Sequence, residues 1–471
     1  MEVRRGGAGA VRHATVGSAV EQLQLRGGFL QQEDRGAETT QYRYHPSGRP
    51  HWTEDPAGYR RTTLWDGRGL LESETYGKGG GGDTRSYQYD GGGFVKQAIV
   101  NGVAWSYGAG PRGELHEVVQ PGGVGEFHYG YDGLGRLASI LPPEGSVIPE
   151  QRFTWDHLDR PLTRTRGRSW VTTWAGGTGT TIDPNGSSRT VVYDGRGRPV
   201  EETYQPGSGI DSGVGSVQRA FGPDGQLLQA LEGGAGATTT YGYDGSGLLK
   251  LIARSGLGAG SIAYGYESGG LLSSVTSPSG YVGYTYDGQA RVQTVTSGRG
   301  TTTLTWEDGG ARLVSASDGA TTECWRYDDR GRTTMVASMP PSTTCGSADV
   351  NTPLARFDYG YDERNNRTSE TYTSGGPAEV RSFGYDAADR LTGANEVGRG
   401  AVLYGLAPDG TRLCERTVAG DFGGPLGPGG CEGEDGFTSS SRITYQHDTA
   451  GGLLGASDAV TGDSWSYQAR Q

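Results

Sequence analysis

A nine-residue pattern recurs along this chain and leaves few folds open to it: aromatic, any, aromatic, Asp, any, any, Gly, Arg, Leu. The clearest copies are YGYDGLGRL from Tyr129, VVYDGRGRP from Val191, YGYDGSGLL from Tyr241, YTYDGQARV from Tyr284, WRYDDRGRT from Trp325, YGYDERNNR from Tyr359 and FGYDAADRL from Phe383. YGYESGGLL from Tyr264 belongs with these, and looser copies begin at Tyr42, Thr63, Tyr87, Phe153, Arg219, Tyr404 and Tyr445. The second aromatic position falls at Tyr243, Tyr266, Tyr286, Trp306 and Tyr327, at intervals of 20 to 23 residues. A fixed period of this length marks a repeat architecture.

One unit can be read physically. Aromatics at positions one and three share a strand face, because side chains alternate. The Asp carboxylate accepts a hydrogen bond from the backbone two residues on and starts a turn. The Gly three residues later takes a left-handed conformation at little steric cost. Asp-x-x-Gly thus suits a hairpin with a type I turn and a following left-handed residue. A second turn returns the chain, as at Asp55-Pro56-Ala57-Gly58, Asp183-Pro184-Asn185-Gly186 and Ser277-Pro278-Ser279-Gly280. Thr- and Tyr-rich stretches fill the strands between. The expectation is an all-β chain of tandem antiparallel hairpins. The repeat-core residues are Tyr131, Asp132, Gly135 and Arg136; Tyr193, Asp194 and Gly197; Tyr243, Asp244 and Gly247; Tyr286 and Asp287; Tyr327, Asp328 and Gly331; Tyr361 and Asp362; Tyr385 and Asp386.

Composition agrees. The chain has 86 Gly, 26 Tyr and only 33% hydrophobic residues, too little to fill a thick close-packed core. Regular Tyr and Trp argue against disorder. A net charge of −12 with Arg spread singly gives no basic stripe for nucleic acid. No apolar run is long enough to span a membrane, and the residues after Arg4 and Arg5 do not read as a signal peptide. Export is then non-classical, or the true N-terminus lies upstream.

Residues 1–40 are poorly defined, with a degenerate first repeat as one reading and Val16 to Gly27 irregular or briefly helical; the repeats occupy 41–471. Three intervals exceed the period, and extra loops near 165–185, 338–355 and 415–442 are expected to fill them. Two of these carry the four cysteines, Cys324 with Cys345 and Cys414 with Cys431. Three pairings are open; the two local ones need the least chain. Disulfides imply an oxidising compartment. The chain is expected to stop inside a repeat, since Tyr467 lies one period after His447.

Candidate chemistry is sparse. The Asp row (Asp132, Asp194, Asp244, Asp287, Asp328, Asp362, Asp386) reads as turn caps, with calcium binding or acid chemistry as the alternative. The Arg row (Arg136, Arg198, Arg332, Arg367, Arg390) reads as packed on Tyr rings or paired with Asp. Among His13, His45, His51, His116, His128, His157 and His447 no ligand spacing occurs, and no C-x-x-C is present. His45 and His447 take repeat positions. No nucleophile elbow or phosphate loop stands out, so no catalytic, cofactor or metal residue is assigned. Asn366-Arg367-Thr368 matches a glycosylation sequon.

Tyr-Asp cores followed by Gly-Arg, separated by Asp-Pro-x-Gly turns, resemble the Rhs/YD-repeat family over about residues 40–471. That family includes bacterial polymorphic toxins, the cocoon-forming subunits of insecticidal toxin complexes and the YD shell of teneurins. The resemblance implies hairpins wound as a spiral into a hollow β-shell that, in the bacterial toxins, encloses a toxic domain. Nothing here matches the self-cleaving core segment or the toxin domain of that family. A ribbon of roughly 34 strands is on the order of 160 Å long, enough for a partial β-shell with exposed edges. The leading expectation is a non-enzymatic scaffold, secreted or at the cell surface, that encapsulates or presents a toxin or effector domain or joins a further repeat chain. The alternative is a carbohydrate-binding adhesin that presents Trp170 and Trp174 to surface glycans.

Overall fold

A computed structural model describes residues 2–466 apart from 7–8, 17–18, 27, 36–37, 80–81, 208–214, 234–235, 257, 342, 346–352, 419–438 and 448–452. Among the described residues there are 41 strands and one short 3-10 turn, Pro121–Gly123. Strands that are neighbours in sequence pair antiparallel, as in Glu126–Tyr131 with Leu137–Leu141 and Ala237–Tyr243 with Leu249–Ser255. The fold class is all-β, built of tandem hairpins.

The chain forms two compact units. One comprises Met1–His13, Glu21–Gln151 and Thr305–Gln471; the other comprises Ala14–Val20 and Arg152–Leu304. The first unit holds the two buried apolar clusters. Cys324, Met335, Ala337, Met339 and Cys345 form one; Ala401, Leu403 and Val418 form the other. Among the described residues of the second unit the buried side chains are Val191, Ala237 and Ser187, so its strands rest mainly on their ladders.

Most described repeat turns are built as the nine-residue pattern implies. At Asp132 the backbone N–H donates to Arg136 O at 2.9 Å, and the Gly135 N–H donates to Asp132 O at 2.9 Å. Gly135 has φ 82°, with Gly197, Gly247 and Gly331 at 78°, 84° and 80°. Past the turn the register slips by one residue between Gly130 and Tyr131. The same slip recurs at Tyr193, Tyr243, Tyr286, Tyr327, Tyr361 and Tyr385.

Four turns lack the glycine. Asp159, Ala290, Asn365 and Asp389 hold the left-handed position at φ 60°, 63°, 73° and 61°. For an L-residue this costs roughly 1–2 kcal/mol, and Ala has no side-chain hydrogen bond to offset it. Ala290→Gly is therefore expected to stabilise the protein by about 1 kcal/mol, less the extra chain entropy of glycine. Thermal unfolding measures it; a lower midpoint contradicts the turn geometry.

Two expectations change. Val16 to Gly27 is not helical where described: Gly9–Val16 and Ala19–Arg26 are strands. Leu23 and Leu25 are half-buried while Gln24 and Arg26 are exposed, the two-residue alternation of a strand. Around 165–185 the extra residues are not a loop. Arg168–Ala175 and Thr178–Ile182 pair as an added hairpin with full register. Of the stretch 415–442, residues 419–438 lie outside the described residues, as do Cys431 and Tyr467. Cys324 and Cys345 are joined by a disulfide, and Cys414 is also disulfide-bonded.

Candidate functional site

Seen from its side chains, the repeat consensus is one device used many times. Asp132 Oδ1 accepts from the backbone N–H of Leu134 and Arg136 at 2.9 and 3.0 Å, while Oδ2 accepts from Arg136 Nε at 2.7 Å. Asp194 with Arg198, Asp287 with Arg291, Asp328 with Arg332 and Asp386 with Arg390 repeat this arrangement. Asp244, which has no Arg, keeps the two backbone bonds, from Ser246 and Leu248. The row is thus a set of caps, each carboxylate engaged in its own turn.

The same Arg reaches forward. Arg332 donates to Asp362 O at 2.9 Å, and its guanidinium lies 4.7 Å from the Tyr361 ring centroid. Arg390 donates to Ala407 O at 3.0 Å. Arg198 donates to Gly222 O at 3.4 Å and stacks on Phe221 at 4.7 Å. The Tyr at position three reaches back. The hydroxyls of Tyr131, Tyr243, Tyr286, Tyr327, Tyr361 and Tyr385 donate to carbonyls of the preceding return strand, at Leu115, Leu227, Leu272, Leu313, Thr333 and Arg367. Each such bond contributes about 1 kcal/mol. Tyr193 departs from this because the added hairpin precedes it; it packs on Trp174 at 6.1 Å instead.

These contacts shift the carboxylates. The Arg198 backbone N–H and guanidinium hold Asp194 at about 2. At Asp156 burial works upward, but the Arg160 backbone N–H and guanidinium outweigh it and bring the carboxyl to about 2. A carboxyl lowered in the folded state adds stability above its ordinary value of 3.8 that is lost as pH falls towards 2. The thermal midpoint is expected to drop between about pH 4 and 2, and Asp194→Asn to flatten that slope. A midpoint insensitive to acid, or an unchanged slope in the variant, contradicts the capping role. Asp55 has the opposite sign. Burial raises its pKa against the Tyr59 N–H and Arg312, so its contribution is present at low pH and lost as pH rises through the raised value.

Asp55 belongs to a second arrangement, inside the first unit. There the Asp-Pro-x-Gly side of the hairpins between 55 and 148 lies against the Tyr-Asp side of the hairpins between 307 and 409. The Tyr59 hydroxyl donates to Asp328 O at 3.2 Å, across a sequence separation of 269. The Lys78 N–H donates to Asp329 O at 2.9 Å. Asn365 Nδ2 donates to Asp83 Oδ1 at 2.8 Å, and Ile148 N–H to Asp409 Oδ2 at 2.8 Å. Arg312 sits 3.5 Å from the Tyr59 ring centroid, donates to the Tyr76 hydroxyl at 3.1 Å and pairs with Glu307 at 3.2 Å. Tyr59, 4% exposed, is the most buried aromatic of this seam, and burial raises its pKa. Seam glycines admit close approach: a Cβ on Gly309 would stand 2.6 Å from the Pro56 carbonyl carbon and 2.9 Å from Ala57 N. The repeat period carries no sign of this seam, because Tyr59 and Arg312 meet only through the path of the ribbon.

Three expected residues are placed differently. Trp170 and Trp174 are half-buried, not exposed. They share the inner parity of Arg168–Ala175, with Trp174 Nε1 donating to Pro161 O at 2.9 Å and Arg160 stacked on the ring at 4.7 Å. Arg367 is not the repeat Arg. Asn366 takes that slot and donates to Asp362 Oδ2 at 3.1 Å, while Arg367 pairs with Glu370 at 3.1 Å. The sequon nitrogen is also engaged, since Asn366 Nδ2 donates to Asp389 Oδ1 at 2.7 Å.

Comparison with known proteins follows the same lines. A family model described as RHS repeat matches residues 266–302. No curated protein matches the chain. Among solved structures, the crystal structure of TcdB2–TccC3–TEV is similar with a TM-score of 0.58 at 13% identity, over 95% of this chain and 31% of that one. TcdB2–TccC3 gives 0.56 at 13% identity, over 96% and 31%. A mutant Tc holotoxin pore from Photorhabdus luminescens gives 0.51 at 13% identity, over 97% and 31%. The chain therefore spans about a third of the length of these structures, and at this identity the likeness is one of fold.

Proposed function

Starting from a chain that is an Rhs/YD-repeat protein, we propose that it serves as a non-enzymatic scaffold, a wall segment of a β-shell that encloses or presents a toxin or effector module. The observation that carries this reading is the seam of the first unit. Two runs of one ribbon, 236 to 282 residues apart, are bonded turn edge to turn edge. A flat adhesive sheet leaves those edges to solvent, whereas a wall seals them. The turn carboxylates support a structural role as well, because each is engaged by its own backbone and Arg. An extracellular or cell-surface setting is supported by the Cys324–Cys345 disulfide. No helix among the described residues is long and apolar enough to cross a membrane.

Small-angle X-ray scattering of the full chain tests the proposal. A curved wall alone, or closed with further copies, gives a pair-distance distribution depleted at its centre. The profile of a flexible or flat ribbon overturns it. The scaffold reading is favoured over the adhesin one because Trp170 and Trp174 are half-buried, each with an Arg guanidinium over its ring.

A further inference from the structure

Glu117, Glu126 and His128 meet across two strands that the sequence keeps apart. Leu115–Val119 and Glu126–Tyr131 pair antiparallel, with Glu117 directly opposite His128. Glu126 lies two residues before His128 and so shares its face. One donor atom from each falls within 4.8 Å of the other two. His128 Nδ1 stands 3.8 Å from Glu117 Oε1, and Nε2 stands 3.8 Å from Glu126 Oε2. These distances exceed a hydrogen bond. An ion takes only one of the two ring nitrogens, and with that single nitrogen the three donors lie within 4.8 Å of one another, so a side-chain movement of roughly 1 Å brings them to the roughly 3.4 Å that separates neighbouring donors on a tetrahedral ion with ligands near 2.1 Å.

Two further observations separate this group from an ordinary charged surface. Among the described residues no Lys or Arg pairs with Glu117 or Glu126, although most turn and seam carboxylates have one. On its other side Glu117 faces Gly108, and a Cβ there would stand 3.1 Å from Glu117 Cβ and 3.3 Å from Oε2. The missing side chain gives that carboxylate room.

The geometry points to a divalent-cation site on this face, made by Glu117, Glu126 and His128, with Zn²⁺ as the fitting ion. Two carboxylates balance the charge, and the imidazole selects Zn²⁺ over Ca²⁺ or Mg²⁺, which take oxygen donors. Water completes the coordination on the solvent side. The ion ties adjacent strands together at a place where no apolar cluster does so. The inference does not depend on the scaffold reading.

Calorimetric titration of the full chain with Zn²⁺ in metal-free buffer tests it. One equivalent is expected to bind, weakened at least about tenfold in His128→Gln and in Glu126→Gln. His51→Gln is the control, because His45 and His51 form a close imidazole pair away from this group, 4.4 Å between ring centroids. In that variant binding is expected to persist, and excess Ca²⁺ is expected not to displace Zn²⁺. Circular dichroism of each variant confirms folding, and these half-exposed positions leave the ladder bonds intact. No Zn²⁺ binding up to millimolar concentration, binding that survives His128→Gln, or loss only in His51→Gln overturns the site.

Discussion

Gly309→Ala lowers the thermal midpoint of the protein and loosens the seam of the first unit, whereas Gly133→Ala leaves both nearly unchanged. Gly309 sits at φ 68°, where a Cβ costs roughly 1–2 kcal/mol. The added methyl also meets Pro56 and the backbone of Ala57, which are turn atoms that cannot swing aside. Overpacking of that kind costs typically about 1–3 kcal/mol. The two effects together come to about 3 kcal/mol, a large part of the stability of an ordinary domain. Gly133 has open space around its Cβ position, and its φ lies outside the left-handed region. Hydrogen exchange at Lys78, whose N–H is bonded to Asp329 O, reports the seam directly and should speed up in Gly309→Ala alone. Gly122→Ala should act in the same direction, because its Cβ would collide with Ala387. Equal behaviour of Gly309→Ala and Gly133→Ala would show that the two runs are not in tight contact.

Reduction of the Cys324–Cys345 disulfide has the second large effect. The bond closes a loop with a sequence separation of 21. Loop-closure entropy for that length is about 3 kcal/mol. Both cysteines belong to a buried apolar cluster, with Cys324 0% and Cys345 5% exposed beside Met335, Ala337 and Met339. Cys324→Ala/Cys345→Ala should therefore lose a further part from packing. The strand Thr322–Tyr327 leads directly into Asp328, the seam partner of Tyr59. Loss of the disulfide is then expected to raise exchange at the seam as well. The measurement is a thermal scan with and without reductant, with free thiols counted. Full reduction with no shift of midpoint would remove the disulfide from the account of stability.

The turns were legible in the sequence and the seam was not, for a physical reason. Asp132, Gly135 and Arg136 act on backbone within four residues of one another, so their chemistry is written at fixed short spacing. Tyr131 reaches only to the preceding return strand, and the period carries that information too. Tyr59 with Asp328, or Asn365 with Asp83, depends on where a ribbon lies after more than 250 residues, which no local pattern encodes. Glu117 and His128 lie between these cases, because their meeting needs the register of one particular strand pair. Trp170 and Trp174 lie on an added hairpin, where a loop is expected from the interval alone. Once Arg168–Ala175 is a strand, alternation sends both rings to the same half-buried face. Arg367 was misassigned by one position, because Asn365 and Asn366 occupy the glycine and arginine slots of that turn.

The alternation of the two turn edges bears on how such a chain can change length in evolution. Tyr-Asp turns gather on one edge and Asp-Pro-x-Gly turns on the other, and the seam joins unlike edges. Inserting a single strand would exchange the edges for everything downstream and bring like against like. Inserting a hairpin leaves the assignment intact. The added strands Arg168–Ala175 and Thr178–Ile182 follow that rule, and Arg160 still finds a turn carbonyl ahead of it, now at Gly176, 3.0 Å away. Duplication and deletion in such a gene are therefore tolerated in whole hairpins, a parity constraint set by the backbone that holds however far the side chains diverge.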